Sequence, residues 1–172
     1  MKRKQPQTIQ QIITAFECYA LGDIKHNSSK PIAAFILSMC FIDNLAFFRY
    51  SDNDVAKKDR PDLFIDNYMK EYGGFGFYKL ARHSVVHFYT SEGRFDIDNK
   101  GFETSPHEKI DNVYYINTDV LILCLEKAFE KFKGELLTVG SPANINALDR
   151  STTHPVLVDT EVQRMSLSAQ KK

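Results

Sequence analysis

The sequence predicts an all-α protein, a bundle of about five helices with a small β-hairpin-like insert before the last of them. Three observations predict it. Apolar residues recur at three- and four-residue spacing in several separate segments, the pattern of helices with one face in a core. Capping residues, glycines and prolines fall between those segments. Two short segments, residues 94–98 and 113–116, instead alternate or turn aromatic and β-branched, as strands do.

Helix one is expected from Ile9 to about Leu21, with Ile9, Ile12, Ile13, Phe16 and Ala20 as its stripe. Thr8 and Gln11 have capping-box spacing, and Gly22 reads as the stop. Helix two begins at Lys30-Pro31, where proline costs little, and runs to about Arg49. It is apolar almost all round, which places it at the centre of a bundle. The charged segment Ser51–Arg60 reads as an exposed loop, and Asp59 or a neighbour caps helix three, about Pro61 to Tyr72. Gly73, Gly74 and Gly76 fit neither the P-loop nor the dinucleotide fingerprint and read as a turn between helices. Helix four runs from about Phe77 to Tyr89, with Phe77, Leu80, Ala81, Ser84 and Phe88 on its stripe. Arg94–Asp98 and Val113–Ile116 are expected to pair as an antiparallel ribbon, with the Pro106-His107 region as the connecting loop. Asn117 or Thr118 then caps helix five, which runs to about Leu137 and faces Leu121, Leu125, Ala128, Phe129, Phe132 and Leu136 inward.

The domain organisation that follows is a helical bundle over residues 1–137 and a polar tail over residues 138–172. The tail is rich in Ser, Thr, Asn and Pro. Pro155-Val156-Leu157-Val158 is its one apolar cluster and is able to dock on the body. At 172 residues the chain is long enough to bury a core without staples. Lys plus Arg and Asp plus Glu stand at 22 each, so no global field draws in nucleic acid or membrane, and any such contact must come from a local patch. Cys18, Cys40 and Cys124 read as reduced core thiols. The run Ile32–Phe48 approaches the length of a membrane span, but Ser38, Asp43 and Asn44 interrupt it and favour a bundle core. With no apolar stretch after the basic start, a cytoplasmic location is expected.

Chemistry concentrates in Tyr78–Tyr89, Y-K-L-A-R-H-S-V-V-H-F-Y. Between Tyr72 and Ser91 the chain holds Lys79, Arg82, His83 and His87 and no acidic residue, a local basic patch suited to phosphate. Arginine offers a planar fork of donors for a phosphate, and histidine moves protons near neutral pH. Together Arg82 and His87 suit metal-independent cleavage of RNA, the His activating the 2′-hydroxyl or protonating the leaving 5′-oxygen and the Arg stabilising the growing charge. On a regular helix five residues turn through about 140°. The two therefore do not share a face, and a two-fold dimer pairing this helix with its copy is needed to assemble a site. The plain alternative is a pair of surface residues making salt bridges only. His83 and His87, four apart, have the spacing of a metal pair, but no nearby Cys, Asp or Glu supplies a third ligand, so neither metal nor other cofactor is expected. Asp43 shares a stripe with Ile36, Met39, Cys40 and Phe47, and a carboxylate there needs a cation, Arg82 or Arg49. His26, His107 and His154 fall in expected loops without chemical company.

The run Arg82-His83-Ser84-Val85-Val86-His87-Phe88-Tyr89 resembles the R-x4-6-H signature of the HEPN superfamily. With Tyr89 it is similar to the R-x4-H-x-Y form of HEPN toxins partnered with nucleotidyltransferases. The resemblance covers roughly Thr8 to Leu137. It implies a small helical bundle that forms a homodimer and acts as an endoribonuclease on single-stranded RNA, as a toxin or antiphage effector with an antitoxin or nucleotidyltransferase partner. It implies Arg82 and His87 as catalytic, His83 as the accessory polar residue and Tyr89 as an adenylylation site. Lys79, from the basic patch, and Asp43, read as a structural salt bridge or cap with an accessory role as the alternative, complete the candidate residues. The β-like insert and the long tail depart from the family pattern. An inactive dimeric binding or scaffold module of the same fold is the alternative.

Overall fold

The computed structural model of the chain describes residues 7–88, 95–97, 99 and 105–157, with residues 83–88 described by their backbone alone. It is mainly α, with one small sheet. Helix α1, Ile9–Ala15, opens on the expected capping box: the Thr8 hydroxyl accepts from the Gln11 amide at 3.2 Å, and the Thr8 amide donates to the Gln11 side chain at 2.9 Å. It does not stop at Gly22. A wide π-turn, Phe16–Leu21, leads directly into α2, Gly22–His26. Gly22 has an ordinary helical φ of −57°, and carrying the helix through it buries both Leu21 and Ile24.

Helix α3, Pro31–Arg49, starts on its proline and runs through the centre. Among the described residues it is the one helix long and apolar enough to cross a membrane, and half of its apolar window is buried inside the bundle. It packs against α4, Arg60–Tyr68, and α6, Thr118–Leu137. Helix α4 is shorter than expected: a break at Met69 turns Lys70–Tyr72 into a separate 3-10 turn. Both Met69 and Tyr72 are fully buried there. Gly74 and Gly76 take φ of +82° and +67°, so this glycine run is a left-handed turn between helices. Helix α5, Phe77–Phe88, follows. Asn117 caps α6 by accepting from the Asp119 and Val120 amides, and all six residues expected to face inward on it are buried.

The insert differs from the expected ribbon. Strands β1, Phe95–Ile97, and β3, Val113–Ile116, pair in parallel. The Pro106-His107 region is not merely a connection, because β2, His107–Ile110, pairs antiparallel with β3. Asp111 and Asn112 join them with φ of +48° and +66°, the two-residue hairpin turn whose handedness matches strand twist. Arg94 and Asp98 lie outside the described residues.

The expected tail is also corrected in part. Residues Pro142–Thr153 form α7, capped by Ser141, whose hydroxyl accepts from the Asn144 amide at 3.0 Å. Its inward face is small, Ala143, Ala147 and Ser151, so its backbone lies close to α3 and α6. Asn144 donates to the Leu136 carbonyl at 2.7 Å and Asn146 to the Arg49 carbonyl at 3.0 Å, satisfying the open ends of α6 and α3. Val156 then packs on the core and is clasped by Gln7, which donates to its carbonyl at 2.9 Å and accepts from its amide at 2.8 Å.

Two smaller expectations change. Cys18 and Cys40 are exposed and only Cys124 is buried, because the first two lie on the outer faces of their helices. Arg60 is 3% exposed rather than looped out. It pairs with Asp52, which also accepts from Arg150 of α7 at 2.7 Å, so one carboxylate ties the loop, α4 and α7 together.

Candidate functional site

Helix α5 is held at its start by carboxylates from α4. Asp62 accepts from the Tyr78 amide at 2.9 Å, and Asp66 from the Gly74 amide at 2.8 Å. An anion in the first turn satisfies free amides and complements the helix dipole. Burial nevertheless raises the pKa of Asp62, the hydrogen bond from Tyr78 offsetting part of that cost. Phe77, Tyr78 and Ala81 face the core, which leaves Lys79 and Arg82 on the outside of the helix.

Arg82 reaches across to α3, where its guanidinium lies 3.9 Å from the Asp43 carboxylate. The expected partner of Asp43 is therefore Arg82 and not Arg49, whose partners are Glu135 at 3.0 Å and Tyr68 at 2.6 Å. Asp43 is not the buried acid its stripe suggested: side-chain exposure is 44% for Arg82 and 48% for Asp43. Met39 of that stripe is fully buried, but Cys40, Asp43 and Phe47 line a groove at its edge, so the carboxylate keeps water and a loose ion pair suffices. The Arg82 guanidinium also lies over the Tyr78 ring, 5.9 Å from its centroid. Burial, and then the Asp43 carboxylate, push the Tyr78 hydroxyl well above the ordinary tyrosine range, with Arg82 pulling the other way. Tyr78 thus remains a protonated donor at neutral pH.

Asp43, Tyr78 and Arg82 form the wall between two concavities. On one side lies a groove of about 600 Å³, mostly apolar, between the π-turn, α3 and the segment after α7. On the other lies a pocket of about 390 Å³ that adds Lys57, Lys58, Lys79 and Pro61. Lys79 donates to Asp59 at 2.7 Å and lies 3.9 Å from Asp62, so the cation expected to contact RNA is partly neutralised. Asp59 stands at the start of α4 but spends its carboxylate on Lys79 instead of capping.

His154 is the residue that sequence reasoning missed. Expected in a loop without company, it lines the groove that Arg82 and Asp43 also line. Its Nδ1 lies 2.9 Å from the Thr153 hydroxyl and its ring meets Phe47 edge-on at 5.2 Å. Only the folding of α7 brings it there, and the Ser141-Pro142 cap is the signal that announces that helix. His107 also has neighbours: its ring packs among Phe75, Tyr72 and Tyr114. Burial lowers its pKa, and its buried Nδ1 has no hydrogen-bond partner among the described residues.

The backbone of α5 is helical through Phe88, so positions 82 and 87 remain about 140° apart around one helix. The side chains of His83 and His87, and Tyr89 altogether, lie outside the described residues. Among the described residues no group of three or more His, Cys, Asp or Glu is placed to hold a metal. No family model matches the chain, and neither a curated protein nor a solved structure shows significant similarity to it.

Proposed function

We propose that the chain is a HEPN-like, metal-independent endoribonuclease of single-stranded RNA that works as a homodimer in the cytoplasm, as a toxin or defence effector. The observation that carries this reading is the setting of Arg82. It is half exposed, on an acid-free helix, in the wall between an aromatic groove and a lysine-lined pocket. Its pairing with Asp43 is long, so a phosphate can compete for it. In the reaction the 2′-oxygen attacks the adjacent phosphorus and the bond to the 5′-oxygen breaks. One proton leaves the 2′-hydroxyl and one arrives on the 5′-oxygen, giving a 2′,3′-cyclic phosphate and a 5′-hydroxyl end. His87 transfers a proton and Arg82 donates to the phosphate oxygens. The continuous helix keeps these two positions on different faces, which is why the reading needs the second subunit.

A second reading, a non-catalytic dimeric binding module, is favoured by the same ion pair, since a residue tying α5 to α3 has a structural use without chemistry. The test is cleavage of an unstructured RNA in EDTA by wild type, Arg82→Ala and His87→Ala. The proposal expects cyclic-phosphate ends from wild type and a loss of at least about a hundredfold in each variant. A wild type that cuts nothing, or variants that cut equally well, leaves the binding module.

A further inference from the structure

The groove and the lysine-lined pocket have opposite chemistry and a common wall. Both volumes, about 600 and 390 Å³, are of the size that small-molecule sites occupy. The groove offers aromatic surface, Phe47 with the Arg150 guanidinium over its ring and His154 edge-on against it, and beside them the exposed Asn44, whose amide carries both donors and an acceptor. The pocket offers cations. Lys57 lies 3.9 Å from Asp52, and Lys79 is held by Asp59. Lys58 makes no salt bridge among the described residues, though its charge acts on the Asp59 carboxylate. The one ion pair of Arg82 among them is its long contact with Asp43, the guanidinium also lying over the Tyr78 ring. A ligand that satisfies both halves is flat and aromatic at one end, with hydrogen-bonding edges, and anionic at the other.

We infer that the two concavities together hold one nucleotide unit, its base in the groove against Phe47 and His154 and its phosphate in the pocket against Lys58 and Arg82. The ligand class rests on the RNA reading. The site itself is additional to the Arg82–His87 pair, because His154, Phe47, Asn44 and Lys58 belong to other elements. Bases are held without a groove of duplex by stacking on rings and by hydrogen bonds to their edges. His154 is suited to this because its place is built. It follows α7 directly, and two residues on the chain is clasped through both hydrogen bonds between Gln7 and Val156.

The experiment is calorimetric titration of the full chain with the four 5′-ribonucleoside monophosphates, a nucleoside, ribose 5-phosphate, inorganic phosphate and a short oligoribonucleotide. At least one monophosphate is expected to bind about tenfold or more tighter than both its nucleoside and ribose 5-phosphate. His154→Ala is expected to weaken nucleoside and nucleotide alike and to leave inorganic phosphate unchanged. Lys58→Ala is expected to weaken nucleotide and phosphate and to leave the nucleoside unchanged. Both residues are exposed, and His154→Gln, which keeps a polar side chain but removes the ring, repeats the first variant in milder form. Tighter binding of the oligoribonucleotide than of any monophosphate assigns the site to a strand, and the reverse to a free nucleotide. Monophosphates that bind no better than inorganic phosphate, or variants that change nothing, overturn the inference. Nucleotide binding without cleavage removes the nuclease reading alone, whereas cleavage unaffected by His154→Ala and Lys58→Ala, with no monophosphate bound, removes this site alone.

Discussion

Asn144→Ala tests whether residues 142–153 belong to the folded body, on which the position of His154 depends. Asn144 is 8% exposed, and its side-chain amide gives the Leu136 carbonyl a donor at 2.7 Å, in the last turn of α6 where no helical amide is left to do so. Its backbone amide, bonded to the Ser141 hydroxyl, is untouched by the change. Truncation therefore leaves a buried carbonyl unpaired and opens a small void, at a cost of about 1–3 kcal/mol. Taking about 2 kcal/mol, the melting temperature of a chain of this size falls by about 4–8 °C. The assay is reversible thermal unfolding followed by circular dichroism. Asp149→Ala, on the exposed face of the same helix, is the control and is expected within about 0.5 kcal/mol of wild type. An Asn144→Ala protein that melts with wild type means that α7 is not docked, and the placing of His154 beside Arg82 fails with it.

Three further outcomes follow from the charges and the half-buried histidine, His107. Asp52 has its pKa lowered to about 2, first by the hydrogen bond from Arg150 and then by that from Arg60. Its unfolded form binds the proton more readily, so its contribution is complete above about pH 4 and is lost as pH falls toward about 2. Acid unfolding of Asp52→Asn is expected to be flatter than that of wild type across that window, and parallel curves would refute the tie between the loop, α4 and α7. Burial lowers the pKa of His107, so its contribution is complete above the ordinary histidine range and is lost as pH falls through and below it. His107→Phe is expected to lessen the loss of stability on acidification below about pH 6.5, as read by urea unfolding at several pH values. Asp43→Asn removes the anion 3.9 Å from Arg82. Because both groups are half exposed, stability is expected to change by less than about 1 kcal/mol. RNA binding, measured by fluorescence anisotropy at low salt, is expected to tighten by a few-fold, and weaker binding would mean that Asp43 contacts the ligand itself.

Elements built on a long periodic stripe were legible from the chain. Helices α3, α5 and α6 stand within a residue or so of their expected limits, because Phe35, Phe77, Phe129 and their neighbours at helical spacing leave one arrangement that buries them. What the sequence hid has physical causes. Helix α7 buries alanine and serine, so its inward face carries no hydropathy signal, and its Asn-rich composition resembles a tail until those amides are seen closing two helix ends. Strand β2 is four residues long and mostly exposed. The signal that would have found it is Asp111-Asn112, two residues that tolerate positive φ between β-forming neighbours. Gly22 misled because a glycine can also occupy ordinary helix when a buried residue, here Ile24, lies beyond it. Of the candidate site, the pairing of Arg82 with Asp43 was among the expected contacts. The opening of Asp43 onto a groove was not, since that depends on how the segment after α7 returns across α3.

The proposed function turns on catalysis by Arg82 and His87 from opposite subunits. Its most direct measurement is the RNA-cleavage rate, in EDTA, of a purified heterodimer carrying Arg82→Ala in one subunit and His87→Ala in the other. One of its two sites keeps both groups, so about half of the wild-type rate is expected from a heterodimer whose two parent homodimers are inactive. A heterodimer as inactive as its parents, beside an active wild type, would contradict it.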